Sequence, residues 1–152
     1  MKIIVDANII FSGLLNANGK IGDLLINSGK YFEFIAPDFL RLEINKHGAK
    51  LIKISGLSAE KLDEAQYQIL KEIKFISEEQ IKESAWNSAF KLVKAIDPKD
   101  VHYVAYAKHF RCKLWSGDKK LMNGLKSEGA FLCLSTEELY EQRDLILKLK
   151  KK

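Results

Sequence analysis

The stretch that decides the fold is KIIVDANII, residues 2–10, in which a short apolar run stops at an acidic residue. The β-branched run at residues 3–5 favours a buried strand. Asp6 follows it directly, and a helical pattern begins at Ala7. A strand that passes into a helix at an aspartate is a typical first unit of an α/β sheet, and it puts Asp6 just beyond the carboxyl end of its strand.

Short apolar runs alternate with helical patterns along the rest of the chain. We predict strands at residues 2–5, 31–36, 112–116 and 130–134. We predict helices at residues 7–15, 21–28, 98–110 and 119–127. Strands that alternate with helices in this way predict a parallel, doubly wound sheet.

The middle and the end of the chain are predicted to be helical. One apolar stripe predicts a single helix opened by Pro37 and Asp38, and its members are Leu40, Ile44, His47, Leu51 and Ile54. A second stripe predicts a helix capped by Ser58, and its members are Leu62, Ala65, Ile69 and Ile73. Two capping boxes, at residues 77–80 and 135–138, predict a helix that reaches about Val93 and a last helix that continues into the terminal lysines.

Acidic residues recur where such a sheet would collect them. Asp6 and Asp118 each follow a predicted strand, and the carboxyl ends of parallel strands meet at one edge. Glu43, Asp97 and Asp100 are the further acidic candidates. Converging carboxylates are the hard oxygen ligands that Mg²⁺ and Mn²⁺ prefer, and such a site suits phosphodiester chemistry.

Each of these acids also has a purely structural explanation. Asp6, Asp97 and Asp118 all precede helices, where aspartate is a favoured N-cap. Asp100 would lie in the first turn of a helix, where its negative charge interacts favourably with the helix dipole. Glu43 could be a solvated residue that pairs with a neighbouring cation. Both explanations stay open for each residue, although caps scatter over a fold and these acids are expected at one edge.

Composition narrows the class of protein. The 152 residues favour one domain, and a hydrophobic fraction of 47% is enough to fill its core. A net charge of +5 fits a polyanionic partner or simply a lysine-rich surface. Cys112 and Cys133 are read as reduced core residues. We expect a cytoplasmic protein with no membrane association, because no apolar run has the length of a signal peptide or a membrane span.

The ordered set of motifs resembles a PIN domain over roughly residues 1 to 140. The set comprises Asp6-Ala7-Asn8, Glu43 on a helix, Asp97-Pro98-Lys99-Asp100, the small-residue helix at 104–107 and Ser116-Gly117-Asp118. The resemblance implies a three-layer α/β/α PIN-like fold with a central parallel sheet flanked by helices. It implies one PIN-like domain over residues 1–152, in which residues 145–152 form a basic C-terminal tail.

The resemblance also implies an activity, that of a divalent-metal-dependent endoribonuclease of the VapC type, the toxin of a prokaryotic toxin–antitoxin pair. By the same resemblance the catalytic residues are Asp6, Glu43, Asp100 and Asp118. The implied ligands of one or two Mg²⁺ or Mn²⁺ ions are Asp6, Glu43, Asp97, Asp100 and Asp118. Supporting roles fall to Asn8, Ser12 and Ser116, and RNA contacts to Lys119 and Lys120. The implied partners are RNA, an antitoxin protein and a second copy of the chain.

Other functions compete with this interpretation. Some PIN domains bind RNA or protein without cutting, and a full acidic set argues against that alternative. The opening weakly resembles that of haloacid dehalogenase-type phosphatases, but Asn8 stands where their general acid would be. His47 and His109 are interpreted as structural, and His102 is expected to face away from Asp100 because two positions on a helix point to different sides. Trp86, Trp115 and the tyrosines are interpreted as core residues before base-stacking ones.

Overall fold

The computed structural model describes residues 1–151 and contains a five-stranded, wholly parallel sheet of order β3-β2-β1-β4-β5. The strands are β1 (Lys2–Val5), β2 (Glu33–Pro37), β3 (Ile73–Ile76), β4 (Lys113–Trp115) and β5 (Cys133–Leu134). The helices are α1 (Ala7–Leu15), α2 (Lys20–Asn27), α3 (Phe39–Lys46), α4 (Gly48–Ser55), α5 (Ala59–Leu70), α6 (Glu83–Val93), α7 (Val101–Phe110), α8 (Lys119–Ser127) and α9 (Thr136–Lys150). Two 3₁₀ turns, Glu78–Gln80 and Pro98–Asp100, precede α6 and α7.

The architecture is the three-layer α/β/α fold that the sequence predicted. Helix α7 packs on β1, β2 and β4 with α6 against it, while α1, α2 and α5 pack together as a second helical layer. The sheet is covered on both faces, so its strands are nearly continuous apolar runs. Residues 3–5 of β1 are fully buried at the centre. The Phe34 ring of β2 lies 5.7 Å from that of Trp115 on β4.

Strand β1 marks the point where the direction of winding reverses. The chain proceeds from β1 to β2 and β3 on one side, and returns to β4 and β5 on the other. In open parallel sheets the crevice outside the carboxyl ends at such a switch point is the usual place for a site. Asp6 follows β1 and Ser116 follows β4, so these two predicted site residues flank this crevice.

The single helix predicted from the stripe that starts at Leu40 is wrong, because the structure divides it into α3 and α4 at His47. The first residue of α4 is Gly48, which favours the helical state less than almost any other residue. Ile54, at the end of the stripe, is 60% exposed, so the stripe does not lie on one buried face. Glu43 therefore lies near the end of a short helix.

Strand β3 is absent from the sequence prediction, which extended the stripe of α5 to Ile73. Helix α5 ends at Leu70, and Ile73 opens a four-residue strand that pairs with β2, with Ile73 opposite Phe34. Ile73 stands four residues after Ile69, which is helical spacing. A short apolar run cannot be assigned to strand or helix by periodicity alone, and pairing with β2 decided it.

The two predicted capping boxes have different outcomes. At Ser135 the box is present, with Ser135 Oγ accepting from the Glu138 N–H and Glu138 Oε1 from the Ser135 N–H. At Ser77 it is not, because Ser77 Oγ accepts from the Glu79 N–H of a 3₁₀ turn and α6 begins only at Glu83. The strands predicted at 31–36, 112–116 and 130–134 exist with shifted or shorter bounds.

The last helix is held to the body of the domain by a polar network. Asp23 on α2 accepts from Arg143 Nη2 at 3.0 Å and from the Tyr140 hydroxyl at 2.6 Å. Arg143 Nη1 donates to the buried Ser28 hydroxyl. The division into one domain with a tail at 145–152 stays a prediction, and Lys152 lies outside the described residues. Within residues 1–151, no helix combines the length and the apolar character that crossing a membrane requires.

Candidate active site

Asp6 is both a helix cap and a buried carboxylate at the sheet edge. It is 6% exposed, and its Oδ1 accepts from the Ile9 N–H at 2.9 Å, so it caps α1. Burial raises its pKa above the ordinary range, against the opposing effects of the Ile9 N–H and the Ser116 hydroxyl. The bond that caps α1 is made by Oδ1.

The second group of predicted site residues, Ser116 and Asp118, follows β4. Ser116 is fully buried, and its hydroxyl accepts from the Asp118 N–H at 3.1 Å. Asp118 Oδ1 accepts from the Leu121 N–H at 3.1 Å and caps α8. The Ser116 hydroxyl therefore acts on both residues: it lowers the Asp6 pKa, and it accepts a hydrogen bond from the backbone N–H of Asp118.

The third group of predicted site residues, Asp97 and Asp100, lies at the 3₁₀ turn before α7. Asp97 caps that turn by accepting from the Lys99 N–H at 3.0 Å. Asp100, by contrast, has a buried Oδ2 with no hydrogen-bond partner. Burial, and then the charges of Asp97, Asp118 and Asp6, raise the Asp100 pKa to about 6. An unpaired buried carboxylate oxygen is costly, so this atom marks a place where a partner is missing.

Residues from each of these three groups line one cavity, which we call the acidic cavity. Its volume is about 510 Å³, and it is lined by Asp6, Ala7, Asn8, Phe39, Glu43, Pro98, Lys99, Asp100, Val101, His102, Tyr103 and Asp118. Four carboxylates therefore line one cavity. Asp6, Asp100 and Asp118 directly precede α1, α7 and α8, and Glu43 lies on α3. Five of the predicted residues do not line it: Ser12, Asp97, Ser116, Lys119 and Lys120. Of these, Asp97 and Lys120 are close enough to change the Asp100 pKa.

The donor set of the acidic cavity fits a hard divalent cation. Its carboxylates supply only oxygen, the ligand that Mg²⁺ and Mn²⁺ prefer, and an ion that keeps several waters needs only one or two of them directly. The unpartnered Asp100 Oδ2 and the raised pKa values of Asp6 and Asp100 show that negative charge there lacks compensation. Across residues 1–151, no three His, Cys, Asp or Glu side chains already stand at ligand distances from a common point. Water-mediated ligands or a small rearrangement would have to complete the set.

Seven residues that line the acidic cavity were not predicted from the sequence as site residues, and Phe39, His102 and Tyr103 are the aromatic ones among them. The Tyr103 hydroxyl accepts from the Ala7 N–H at 3.3 Å, and burial, followed by the charge of Asp6, raises its pKa. Phe39 begins α3, and His102 lies on the first turn of α7. His102 was expected to face away from Asp100, yet both line the cavity. The helical phase argument fails because Asp100 precedes α7, in a 3₁₀ turn.

A second cavity, of about 670 Å³, lies at the opposite edge of the sheet, and we call it the basic cavity. It is lined by Met1, Lys2, Ala107, Lys108, Phe110, Arg111, Cys112, Lys113 and Leu132. No acidic residue lines it. It is larger than the acidic cavity, but it holds none of the predicted site residues, and its cations point to no particular chemistry.

Comparison with known proteins agrees with the fold. A family model described as PIN domain matches residues 4–144. A solved structure described as VapBC2 from Rickettsia felis bound to a DNA fragment from their promoter superposes with a TM-score of 0.59 at 12% identity. The match covers 89% of this chain and 98% of that one, and at this identity it shows a shared fold alone. No curated protein matches the sequence.

Proposed function

Because the chain belongs to the PIN domain family, we propose that it is an Mg²⁺- or Mn²⁺-dependent endoribonuclease that hydrolyses RNA phosphodiester bonds, as the toxin of a prokaryotic toxin–antitoxin pair. The observation that carries the proposal is the convergence of Asp6, Glu43, Asp100 and Asp118 on one cavity at the switch point of the sheet. Two of these acids cap helices, but capping alone does not explain why Asp100 Oδ2 is buried without a partner.

Each carboxylate has a part in this proposal. Asp6, Asp100 and Asp118 would hold the first ion, and Glu43 with Asp97 would hold a second. When bound, the ions supply Lewis-acid stabilisation of charge on the phosphate oxygens. The chain's own contribution is orientation. The Ile9 N–H holds the Asp6 carboxylate and the Leu121 N–H holds that of Asp118, so both carboxylates are positioned before substrate arrives.

The surroundings of the cavity supply the remaining proposed roles. Asn8 lines it and would orient Asp6 or a phosphate, and Ser12 lies one helical turn further along α1. Lys119 and Lys120 are exposed at the start of α8, where they can meet the RNA backbone. The lysines at the end of α9 could do the same.

The proposed partners follow the same comparison. The solved structure with the shared fold is described as a VapBC2 complex on promoter DNA. By analogy we propose that an antitoxin protein binds this chain, that the chain forms a homodimer, and that it acts in the cytoplasm. The fold likeness supports these partners only as analogy, because fold does not determine function.

The test is cleavage of a mixed single-stranded RNA pool with Mg²⁺, with Mn²⁺ or with EDTA. Wild type would be compared with Asp6→Asn and Asp118→Asn. Asparagine is as good an N-cap as aspartate, so both variants retain their helix caps and lose only charge. Asp63→Asn, on the exposed side of α5, is the matched control. We expect metal-dependent cleavage that both site variants lose and the control keeps.

A non-catalytic RNA- or protein-binding PIN domain is the alternative. It would be favoured if folded wild type bound RNA equally well with EDTA and cut none with either metal. Loss of cleavage with retained RNA binding in Asp6→Asn would instead exclude it, since the same surface would then bind without the carboxylate and cut only with it.

A further inference from the structure

The acidic cavity is lined by two unlike sets of side chains. Four of its lining residues are carboxylates. The others include Phe39, Pro98, Lys99, Val101, His102 and Tyr103, three of which carry aromatic rings. An ion with six waters fills roughly 180 Å³ at about 30 Å³ per water, whereas the cavity has about 510 Å³. The cavity is therefore larger than an ion needs and can admit part of a substrate beside it.

Phe39 and His102 are held in place by contacts with each other and with their neighbours. The rings of Phe39 and His102 are 5.0 Å apart at 71°, and those of Trp86 and His102 are 5.2 Å apart at 88°. Both are edge-to-face contacts, the favoured arrangement of aromatic pairs. His102 Nε2 lies 3.0 Å from Oε1 of Glu78, in the 3₁₀ turn that follows β3. The His102 ring is thus oriented by three neighbours while its side chain stays 32% exposed.

The contact with Glu78 also limits what His102 can offer a ligand. Nε2 lies 3.0 Å from Glu78 Oε1, so Nδ1 is the ring nitrogen left to hydrogen-bond a ligand. The Lys99 ammonium is exposed where it lines the cavity and can neutralise a phosphate. A ligand that combines a planar ring, hydrogen-bonding groups on the ring edge and a phosphate matches Phe39, His102 and Lys99, and a nucleotide has all three.

We propose that Phe39 and His102 form a nucleobase subsite, in which the base beside the scissile phosphate stacks on Phe39 and is read by His102 while the phosphate lies over the carboxylates. This inference rests on the proposed function, because it places one nucleotide of the RNA substrate. Base–aromatic stacking tolerates every base, so Phe39 contributes affinity. A hydrogen bond to one ring edge distinguishes bases, so His102 contributes preference among them.

The competing explanation is that the Glu78–His102 pair only ties α7 to the end of β3. The two explanations differ in a kinetic readout. A purely structural pair predicts variants with lower thermal stability and unchanged KM. A base subsite predicts a higher KM with kcat little changed, because stacking binds ground state and transition state alike.

The first experiment measures nucleotide binding without chemistry. Trp86 packs against His102, so its fluorescence reports on the subsite, and Trp86→Phe identifies the signal. Wild type would be titrated in Mg²⁺ with each of the four ribonucleoside 5′-monophosphates, which contain no phosphodiester bond to cut, beside ribose 5-phosphate, which lacks a base. We expect quenching by nucleotides, none by the sugar phosphate, and an affinity at least about fivefold lower in Phe39→Leu. Phe90→Leu, 57% exposed on α6, is the matched control.

The second experiment measures cleavage of short RNAs that differ in one base. We expect Phe39→Leu to raise KM about tenfold for all of them, and His102→Gln to reduce the difference between bases. If wild type cleaves RNA and Phe39→Leu has the same nucleotide affinity and the same KM, the subsite proposal is overturned. Nucleotide binding that depends on Phe39, in a protein that cuts no RNA, would retain the subsite and overturn the nuclease. Neither binding nor cleavage by folded protein would overturn both.

Discussion

The acidic and basic cavities lie at opposite edges of one sheet and collect opposite charges. The acidic cavity is at the carboxyl ends of the strands, where helices begin, and the basic cavity is at the amino ends of β1 and β4, where α7 ends. Acids favour helix N-termini and cations favour helix C-termini, because each complements the helix dipole. A parallel sheet aligns all its helices alike, so this local preference separates charge across the whole domain.

Burial distinguishes the two ends more than charge does. Asp6 is buried, and Asp100 has a buried, unpartnered oxygen. Lys2 and Arg111 are exposed, and Lys2 lies over the Phe110 ring at 5.2 Å. Exposed cations are solvated by water, whereas no group within the described residues hydrogen-bonds Asp100 Oδ2. Uncompensated charge in a concave, partly buried place indicates a site, and solvated charge of either sign does not.

The largest expected effect is at Asp100. Asp100→Asn should lower kcat/KM for RNA by about 100- to 1,000-fold, the usual loss when one group that stabilises the transition state is removed. The variant should be no less stable than wild type, since it removes a charge that is buried without a partner. Paired cleavage assays and urea unfolding check both results. A variant that is inactive because it is unfolded would contradict the interpretation.

Metal binding should distinguish the cavities next. With free Mg²⁺ at about a hundred times its Kd, wild type should gain roughly 2.7 kcal/mol of unfolding free energy. Asp6→Asn should gain much less, because it lacks one proposed ligand. Lys113→Gln, in the basic cavity, is the control and should gain as much as wild type. Thermal melts over a Mg²⁺ series measure this, and equal gains in all three proteins would exclude the acidic cavity as the binding place.

Asp23 is the paired counterpart of Asp100. Hydrogen bonds from Arg143, Tyr140 and Asn27 lower its pKa to about 2. Since the folded pKa lies below the ordinary value of 3.8, its stabilising contribution is complete above about pH 4 and is lost as pH falls towards 2. The Asp23 side chain is 37% exposed, so after solvent screening we expect Asp23→Asn to cost about 1 kcal/mol at pH 7. Urea unfolding at pH 7 and at pH 2.5 checks it: the difference between wild type and variant should shrink at the lower pH.

The smallest effect is expected in the basic cavity. Lys108→Gln removes a cation from the last turn of α7 and should lower stability by only about 0.3–0.5 kcal/mol through the helix dipole. Cleavage of a short RNA should change less than twofold at 0.15 M salt. A loss comparable to that of Asp100→Asn would show that the basic cavity takes part in function and would end the contrast between the two.

Local patterns in the chain were enough to predict much of the candidate site. The run at residues 3–5 and the cap at Asp6 are adjacent in sequence, and so are Ser116 and Asp118, so their placement depended only on recognising a strand end before a helix. The break at His47 and the strand β3 were missed. Both depend on weak signals, a single glycine and a four-residue apolar run at helical spacing, which tertiary pairing overrode.

The sequence by itself determined the α/β class, the central buried strand and the acids at strand ends, because these follow from periodicity and capping within a few residues. Only the tertiary structure decided that Phe39, His102 and Tyr103 share a cavity with those acids and that Asp100 Oδ2 lacks a partner. These relations join the carboxyl end of β2, the end of β3 and the start of α7. The order of strands in the sheet brings those segments together, and no local spacing encodes that order.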